Sequence, residues 1–161
     1  MSAGRKFRIG VCGPSSAPAD LLELAEQVGK EIARRGAVLV CGGLGGVMEA
    51  AARGTREAGG LTIGILPGAS ADDANPFIDV PVVTDLGEAR NALVVRSSDA
   101  IIAIAGSYGT LSEIALALKM GVPVIGLGTW QLRAPDGGTP AIHWVQSAAE
   151  AVERAFLEIQ T

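Results

Sequence analysis

The chain is poor in the residues that carry metal, redox and disulfide chemistry. Its 161 residues include one histidine, His143, and two cysteines, Cys12 and Cys41. A lone imidazole has no second histidine with which to build a metal cluster, so His143 reads as structural and no metal site is expected. Two cysteines cannot staple a disulfide framework. Both end predicted strands and read as buried structural thiols. No apolar run reaches the roughly 18 residues of a membrane span, and nothing at the amino end looks like a signal peptide. Basic runs are also missing, and the net charge is −4. An acidic chain without a Lys/Arg stripe is poorly suited to nucleic acid or an anionic membrane surface. A soluble, cytoplasmic protein is expected.

What the chain does have is core material and glycine. With 48% hydrophobic and 19% charged residues, it can bury a sizeable core, and its length suits one domain over residues 1–161. Glycine supplies 22 residues, about twice the usual share of roughly 7%. The excess falls in pairs at 42–43, 45–46, 59–60 and 137–138, which points to a few special loops.

Short Val/Ile-rich runs recur at Phe7–Cys12, Ala37–Cys41, Leu61–Leu66, Val80–Thr84, Ala100–Ala105 and Val122–Leu127. Several are apolar on both faces, as parallel strands covered by helices are. Helical patterns lie at Ala19–Arg35, Val47–Ala58, Gly87–Ser97, Thr110–Met120 and Ser147–Ile159. Gly36, Gly59 and Gly121 follow three of these, where a left-handed C-cap is wanted. The alternation predicts a doubly wound, Rossmann-like α/β domain. Its mostly parallel sheet should have about six or seven strands, with helices on both faces. The helices at Gly87–Ser97 and Thr110–Met120 carry more apolar residues than one sheet-facing stripe needs, which suggests a homodimer or a larger homo-oligomer.

Ligands of open α/β sheets sit outside the carboxyl ends of the strands, near the reversal of strand order. Three strand ends are unusual: Cys12-Gly13-Pro14-Ser15-Ser16, Cys41-Gly42-Gly43-Leu44-Gly45-Gly46, and Ala105-Gly106-Ser107-Tyr108-Gly109-Thr110. Glycine lets the backbone approach an anion, and the following helix offers free N–H groups and a positive dipole end. A phosphorylated small molecule is the leading ligand class. Neither loop ends in the Gly-Lys-[Ser/Thr] of a P-loop. The Gly-x-Gly-x-x-Gly frame starting at Gly43 fails at Met48, and the next strand ends in Leu66-Pro67-Gly68 with no acid. NAD is therefore disfavoured.

Taken together, Gly-Gly-x-Gly-Gly-x-Met-Glu, Ala-Arg-Asn and Gly-x-x-Gly-Thr-Leu-x-Glu resemble the LOG-like family, over about Arg8 to Leu127. The closest likeness is to its molybdenum-cofactor-carrier-like subgroup. That resemblance implies a Rossmann-like fold binding a nucleotide or a phosphorylated pterin such as the molybdenum cofactor. In the enzymatic branch it implies a phosphoribohydrolase that releases a base from a nucleoside 5′-monophosphate. It implies no PLP chemistry, and no PLP-lysine motif is evident. Carried over by position, the catalytic arginine and glutamate of that branch fall on Arg90 and Glu113. Together with the three strand-end turns, this makes the expected ligand-binding set Gly13, Ser15, Gly42, Gly43, Gly45, Gly46, Arg90, Asn91, Gly106, Ser107, Tyr108, Gly109 and Thr110. Two departures favour the carrier side: the enzymes have lysine where this chain has Asn91, and their Pro-Gly-Gly-x-Gly-Thr loop reads Ala105-Gly106-Ser107-Tyr108-Gly109-Thr110 here.

Glu113 also has a plainer explanation. Thr110-Leu111-Ser112-Glu113 fits a capping box with Thr110 at N-cap and Glu113 at N3, and one carboxylate does not easily cap and catalyse at once. Arg90 fits either a solvated helix face or a fork of donors for an oxyanion. Tyr108 fits either stacking on a base or shielding its loop.

Overall fold

A computed structural model describes residues 4–161, so the first three residues of the expected unit lie outside it. Seven strands form one sheet: β1 (Arg8–Cys12), β2 (Val38–Cys41), β3 (Thr62–Leu66), β4 (Val80–Val83), β5 (Ala100–Ile104), β6 (Val124–Leu127) and β7 (Ile142–Trp144). Every pairing is parallel, and the order across the sheet is β4-β3-β2-β1-β5-β6-β7. The five helices are α1 (Ala19–Arg34), α2 (Val47–Glu57), α3 (Asn91–Arg96), α4 (Tyr108–Met120) and α5 (Ala148–Ile159). No helix is long and apolar enough to cross a membrane among the described residues.

The helices divide between the faces because connections that step one way across a parallel sheet stay on one side of it. One core cluster joins Ala25, Val28 and Ile32 of α1, Val47 and Ala51 of α2, and Val152 of α5 to Ile9, Leu39 and Ile102 of the sheet. The other face carries Val95 of α3 and Ile114 and Ala117 of α4 against Cys12, Ile101 and Val124. Central strands covered on both sides have no polar face. That is why β5 reads Ala-Ile-Ile-Ala-Ile with every residue buried, as expected of parallel strands.

Three local differences from the sequence reading have physical causes. β7 is only three residues long and half-exposed, too short for a periodicity to register. The segment expected as one helix over Gly87–Ser97 is a 3-10 turn, Gly87–Arg90, running into the short α3. α4 begins at Tyr108, ahead of the apolar pattern that starts at Leu111. The expected left-handed glycines are present after α1, α2 and α4, with Gly36, Gly59 and Gly121 at φ of 73°, 80° and 71°.

α1 and α2 cross almost backbone to backbone. A Cβ on Gly29 would lie 2.0 Å from the Ala51 carbonyl oxygen, and one on Gly54 would lie 2.0 Å from that of Glu26. The Thr55 hydroxyl sits at the same contact, 3.1 Å from the Gly29 oxygen and 2.9 Å from that of Ala51. Nothing flexible can yield there, so a methyl must push the two helices apart. Gly29→Ala and Gly54→Ala should each cost roughly 2–3 kcal/mol of stability, measured by urea denaturation. Gly4→Ala, with nothing within 4 Å of the new methyl, should cost almost nothing.

Candidate functional site

β1 has β2 on one side and β5 on the other, so strand order reverses there. The three glycine-rich turns leave these three adjacent strands and meet at the carboxyl edge of the sheet. This is where open α/β sheets bind ligands.

The turn after β5 is open. Ala105 adopts φ 51°, a left-handed conformation that side chains rarely take, and it swings the chain off the sheet. Ser107 then takes extended backbone as the N-cap of α4. Leu111 is the first amide to donate back along the helix, to the Ser107 oxygen at 3.0 Å. The N–H groups of Tyr108, Gly109 and Thr110 therefore precede any helical acceptor; the Ser107 side chain takes that of Thr110, and those of Tyr108 and Gly109 stay open. Residues 106–109 are exposed. The capping expectation is corrected here: Ser107 holds the N-cap and Thr110 sits at N3, its hydroxyl accepting from the Ser107 N–H at 3.3 Å. The early helix start shifts the box by three residues and leaves Glu113 out of it.

Trp130, from the loop after β6, closes one side of this turn. Its indole N–H donates to the Ser107 carbonyl at 3.0 Å. Any Cβ at Gly106 would meet that nitrogen at 2.5 Å. Tyr108, 82% exposed, stacks on Trp130 with ring centres 5.9 Å apart. The pair presents a flat aromatic wall at the mouth.

The turn after β2 is closed by comparison. The Val47 N–H at the start of α2 donates to the Pro14 carbonyl at 3.0 Å. That oxygen would lie 2.4 Å from a Cβ at Gly46, while the Ser15 oxygen would lie 3.3 Å from one at Gly45. Gly13 packs where a side chain would strike Val47 and the Ile104 carbonyl, at 2.6 and 2.8 Å. On the far side Asn75 takes the Gly43 carbonyl through its N–H, at 2.9 Å, and gives its amide to the Leu44 carbonyl at 2.8 Å. Thus Gly13, Ser15, Gly43, Gly45 and Gly46 build a braced wall. A backbone carbonyl already occupies part of the α2 helix start.

Beneath the cleft lie two opposite charges. Arg90, 8% exposed, ends the 3-10 turn. Its Nε donates to the Ile65 carbonyl at 2.9 Å and Nη2 to that of Gly42 at 3.4 Å, while Nη1 donates to the Asn91 Oδ1. Gly42 is needed because a Cβ there would stand 2.7 Å from Nη2. Three of the guanidinium's five N–H bonds are thus engaged and two are free for another acceptor. Glu113, 9% exposed, has neither a hydrogen bond nor an ion pair within 4 Å among the described residues. Burial pushes its carboxyl up to about 7, and the pull of the Arg90 charge only partly opposes this.

Asn91 is buried with both ends engaged: it accepts from Arg90, and its Nδ2 donates to the Ser112 hydroxyl at 2.9 Å. The two thiols do not face each other. Cys12 packs with Ile114 of α4, whereas Cys41 lies two residues after Leu39 and shares its side of the sheet, the α1–α2 side. Burial raises Cys12 well above the ordinary thiol range and Cys41 to about 12, so both stay protonated and inert. His143 is held between Arg154 and Glu158 of α5, away from the cleft. A cavity of about 460 Å³ lies beyond β6, where Leu21, Leu24, Leu127, Thr129, Gln131 and Gln146 line it with no charged side chain among them.

Trp130, Ser112 and Asn75 are the site residues that motif reading passed over. Asn75 sits in the long loop between β3 and β4 and Trp130 in that between β6 and β7, and Ser112 lies inside the Thr-Leu-x-Glu motif.

The sequence profile of the SLOG cluster4 family matches residues 6–153. The chain belongs to that family. Its fold is similar to the molybdenum cofactor binding protein of the phototrophic bacterium Rippkaea orientalis, at 40% identity and a TM-score of 0.87, covering 99% of this chain and 100% of that one. The molybdenum cofactor carrier protein of Chlamydomonas reinhardtii gives 37% identity and 0.86, covering 98% and 100%. A cytokinin riboside 5′-monophosphate phosphoribohydrolase of Mycobacterium tuberculosis is 41% identical over 107 residues, which are 64% of this chain and 57% of that enzyme. The family resemblance read from the motifs is thereby borne out, on both its carrier and its hydrolase side.

The Glu113 carboxyl makes stability depend on pH in a definite direction. Folded, it holds its proton to about 7; unfolded, it releases it near 4.5. Between these values the native state binds more protons, so stability falls as pH rises from about 4.5 to about 7. The loss amounts to about 3 kcal/mol at pH 8. Glu113→Gln, uncharged at every pH, should melt above the wild type at pH 8 and close to it at pH 4.5, by calorimetry.

Proposed function

We propose that this SLOG chain binds a phosphorylated pterin, the molybdenum cofactor, and holds it without chemical turnover. The observation that supports this most is the end-to-end likeness to two proteins named for binding or carrying that cofactor. The site chemistry agrees with it. A phosphate would sit against the N–H groups of Tyr108 and Gly109, with Thr110 capping the turn behind them, where the positive end of α4 favours an anion. Gly106 and Ser107 shape that turn, and the free N–H bonds of Arg90 add donors from below. The Tyr108–Trp130 wall offers a face to a planar ring. The braced β2 turn, with Gly42 and Gly43 buried in it, forms the opposite side. Grip would come from the phosphate and the ring, because no group of three or more His, Cys, Asp or Glu side chains is placed to hold a metal among the described residues.

The second reading, a phosphoribohydrolase, is favoured by one observation: Glu113 is free of any cap and lies near Arg90. A carboxylate there would stabilise positive charge developing on the sugar while arginine held the phosphate. Against it, Glu113 titrating near 7 is only partly ionised at neutral pH, and Arg90 is bound to two backbone carbonyls.

A homo-oligomer is part of the proposal. Leu93 on α3 and Val80, Val82 and Val83 on the edge strand β4 are all exposed, leaving apolar surface for a second copy to cover.

Incubation with AMP and other nucleoside 5′-monophosphates, followed by chromatography, should yield no free base. Native mass spectra of the purified protein should show two or more chains retaining a phosphorylated pterin. Base release that disappears in Glu113→Gln would instead establish the hydrolase.

A further inference from the structure

We propose that Asn91 is a positioning residue whose carboxamide locks Arg90 to the first turn of α4, so that the two halves of the cleft hold one geometry. The inference rests on reading the cleft as an anion site and adds the device that sets its donors.

A single line of hydrogen bonds crosses the cleft floor. Arg90 is anchored to β3 and to the β2 turn through the Ile65 and Gly42 carbonyls. Its Nη1 donates to the Asn91 Oδ1. The Asn91 Nδ2 donates to the Ser112 hydroxyl at 2.9 Å, and that hydroxyl donates to the Gly109 carbonyl at 2.7 Å. The line ends where it matters. A peptide unit is planar, so fixing the Gly109 C=O fixes the Gly109–Thr110 peptide, whose N–H the Ser107 side chain accepts. Gly109 is thereby held, and its own N–H is one of the open first-turn donors.

The residue type is dictated by the two ends. Oδ1 must accept from a cation while Nδ2 donates to a hydroxyl that is itself donating onward. Aspartate accepts at both ends, which would turn the Ser112 hydroxyl away from Gly109. Leucine has a similar shape and does neither. At 6% exposure, water cannot easily replace the missing partner.

The experiment has a ligand-free arm and a ligand arm. In the first, the midpoint of the Glu113 carboxyl is followed by carbon-13 NMR in wild type, Asn91→Leu and Ser112→Ala. Arg90 holds that midpoint down, and the other titratable neighbours, Cys12 and Cys41, stay protonated. Asn91→Leu frees the Nη1 end of Arg90 while Ile65 and Gly42 hold the rest, so the guanidinium shifts relative to Glu113 and the midpoint should move; Ser112→Ala, beyond Arg90 in the line, should leave it in place. In the second arm, inorganic phosphate is titrated against the Gly109 amide resonance. Both variants should bind about tenfold more weakly than wild type, the effect of about one lost hydrogen bond to a positioned donor. If wild type does not bind phosphate, the anion reading of the cleft fails, and the Glu113 arm still decides the role of Asn91. An unmoved midpoint in Asn91→Leu overturns the proposal. So does an unmoved phosphate affinity in Ser112→Ala when wild type binds.

Discussion

The helices that follow β1, β2 and β5 start side by side because the strand order reverses at β1. Chain connections run β1 to β2 to β3 in one direction, and β5 to β6 to β7 in the other. Their crossovers therefore lie on opposite faces and cannot cover the gap between β1 and β5. Everything distinctive about the cleft follows from that gap. The three turns converge there, the 3-10 turn carrying Arg90 passes beneath it, and α4 begins at its edge.

The convergence is not symmetric. Two of the three turns pack on each other so closely that Gly13 and Gly46 leave no room for a side chain, and Pro14 lends its carbonyl to the α2 start. A carbonyl in that place acts as a weak built-in anion, satisfying a helix-end donor that would otherwise need a ligand. The α4 start caps only its Thr110 N–H and keeps those of Tyr108 and Gly109. Its charge balance is unusual as well, since the cleft floor holds a buried guanidinium tied to backbone oxygens and a buried carboxyl tied to nothing. Burial of such a carboxyl is unfavourable unless a function or a proton accompanies it. A titration point near 7 supplies the proton, and an incoming phosphate would favour the protonated form further.

Much of this architecture was legible in the residues. The alternation of Val/Ile runs with amphipathic segments specified a doubly wound sheet, and the glycine pairs marked the turns that meet at its edge. Arg90, Asn91 and Glu113 were picked out by motif, and all three are buried together beneath the cleft. Two things could not be read. Helix starts follow backbone geometry before they follow apolar period, so the left-handed Ala105 moved the α4 cap to Ser107 and freed Glu113. Loop contacts between residues distant in sequence, such as Trp130 on Ser107 or Pro14 on Val47, have no periodic signature at all. Asn91 was legible as a site residue. Its engagement at both ends was not, because a side chain's partners depend on which elements pack beside it.

The proposed anion-binding donors are those at the start of α4 and not those at the start of α2. Amide NMR of the labelled protein, titrated with a phosphorylated pterin, tests this assignment most directly. The largest shifts should fall on Tyr108 and Gly109, with Met48 and Glu49 at the α2 start nearly unmoved. Shifts centred on Met48 and Glu49, or no shift at either helix start at millimolar ligand, would contradict it.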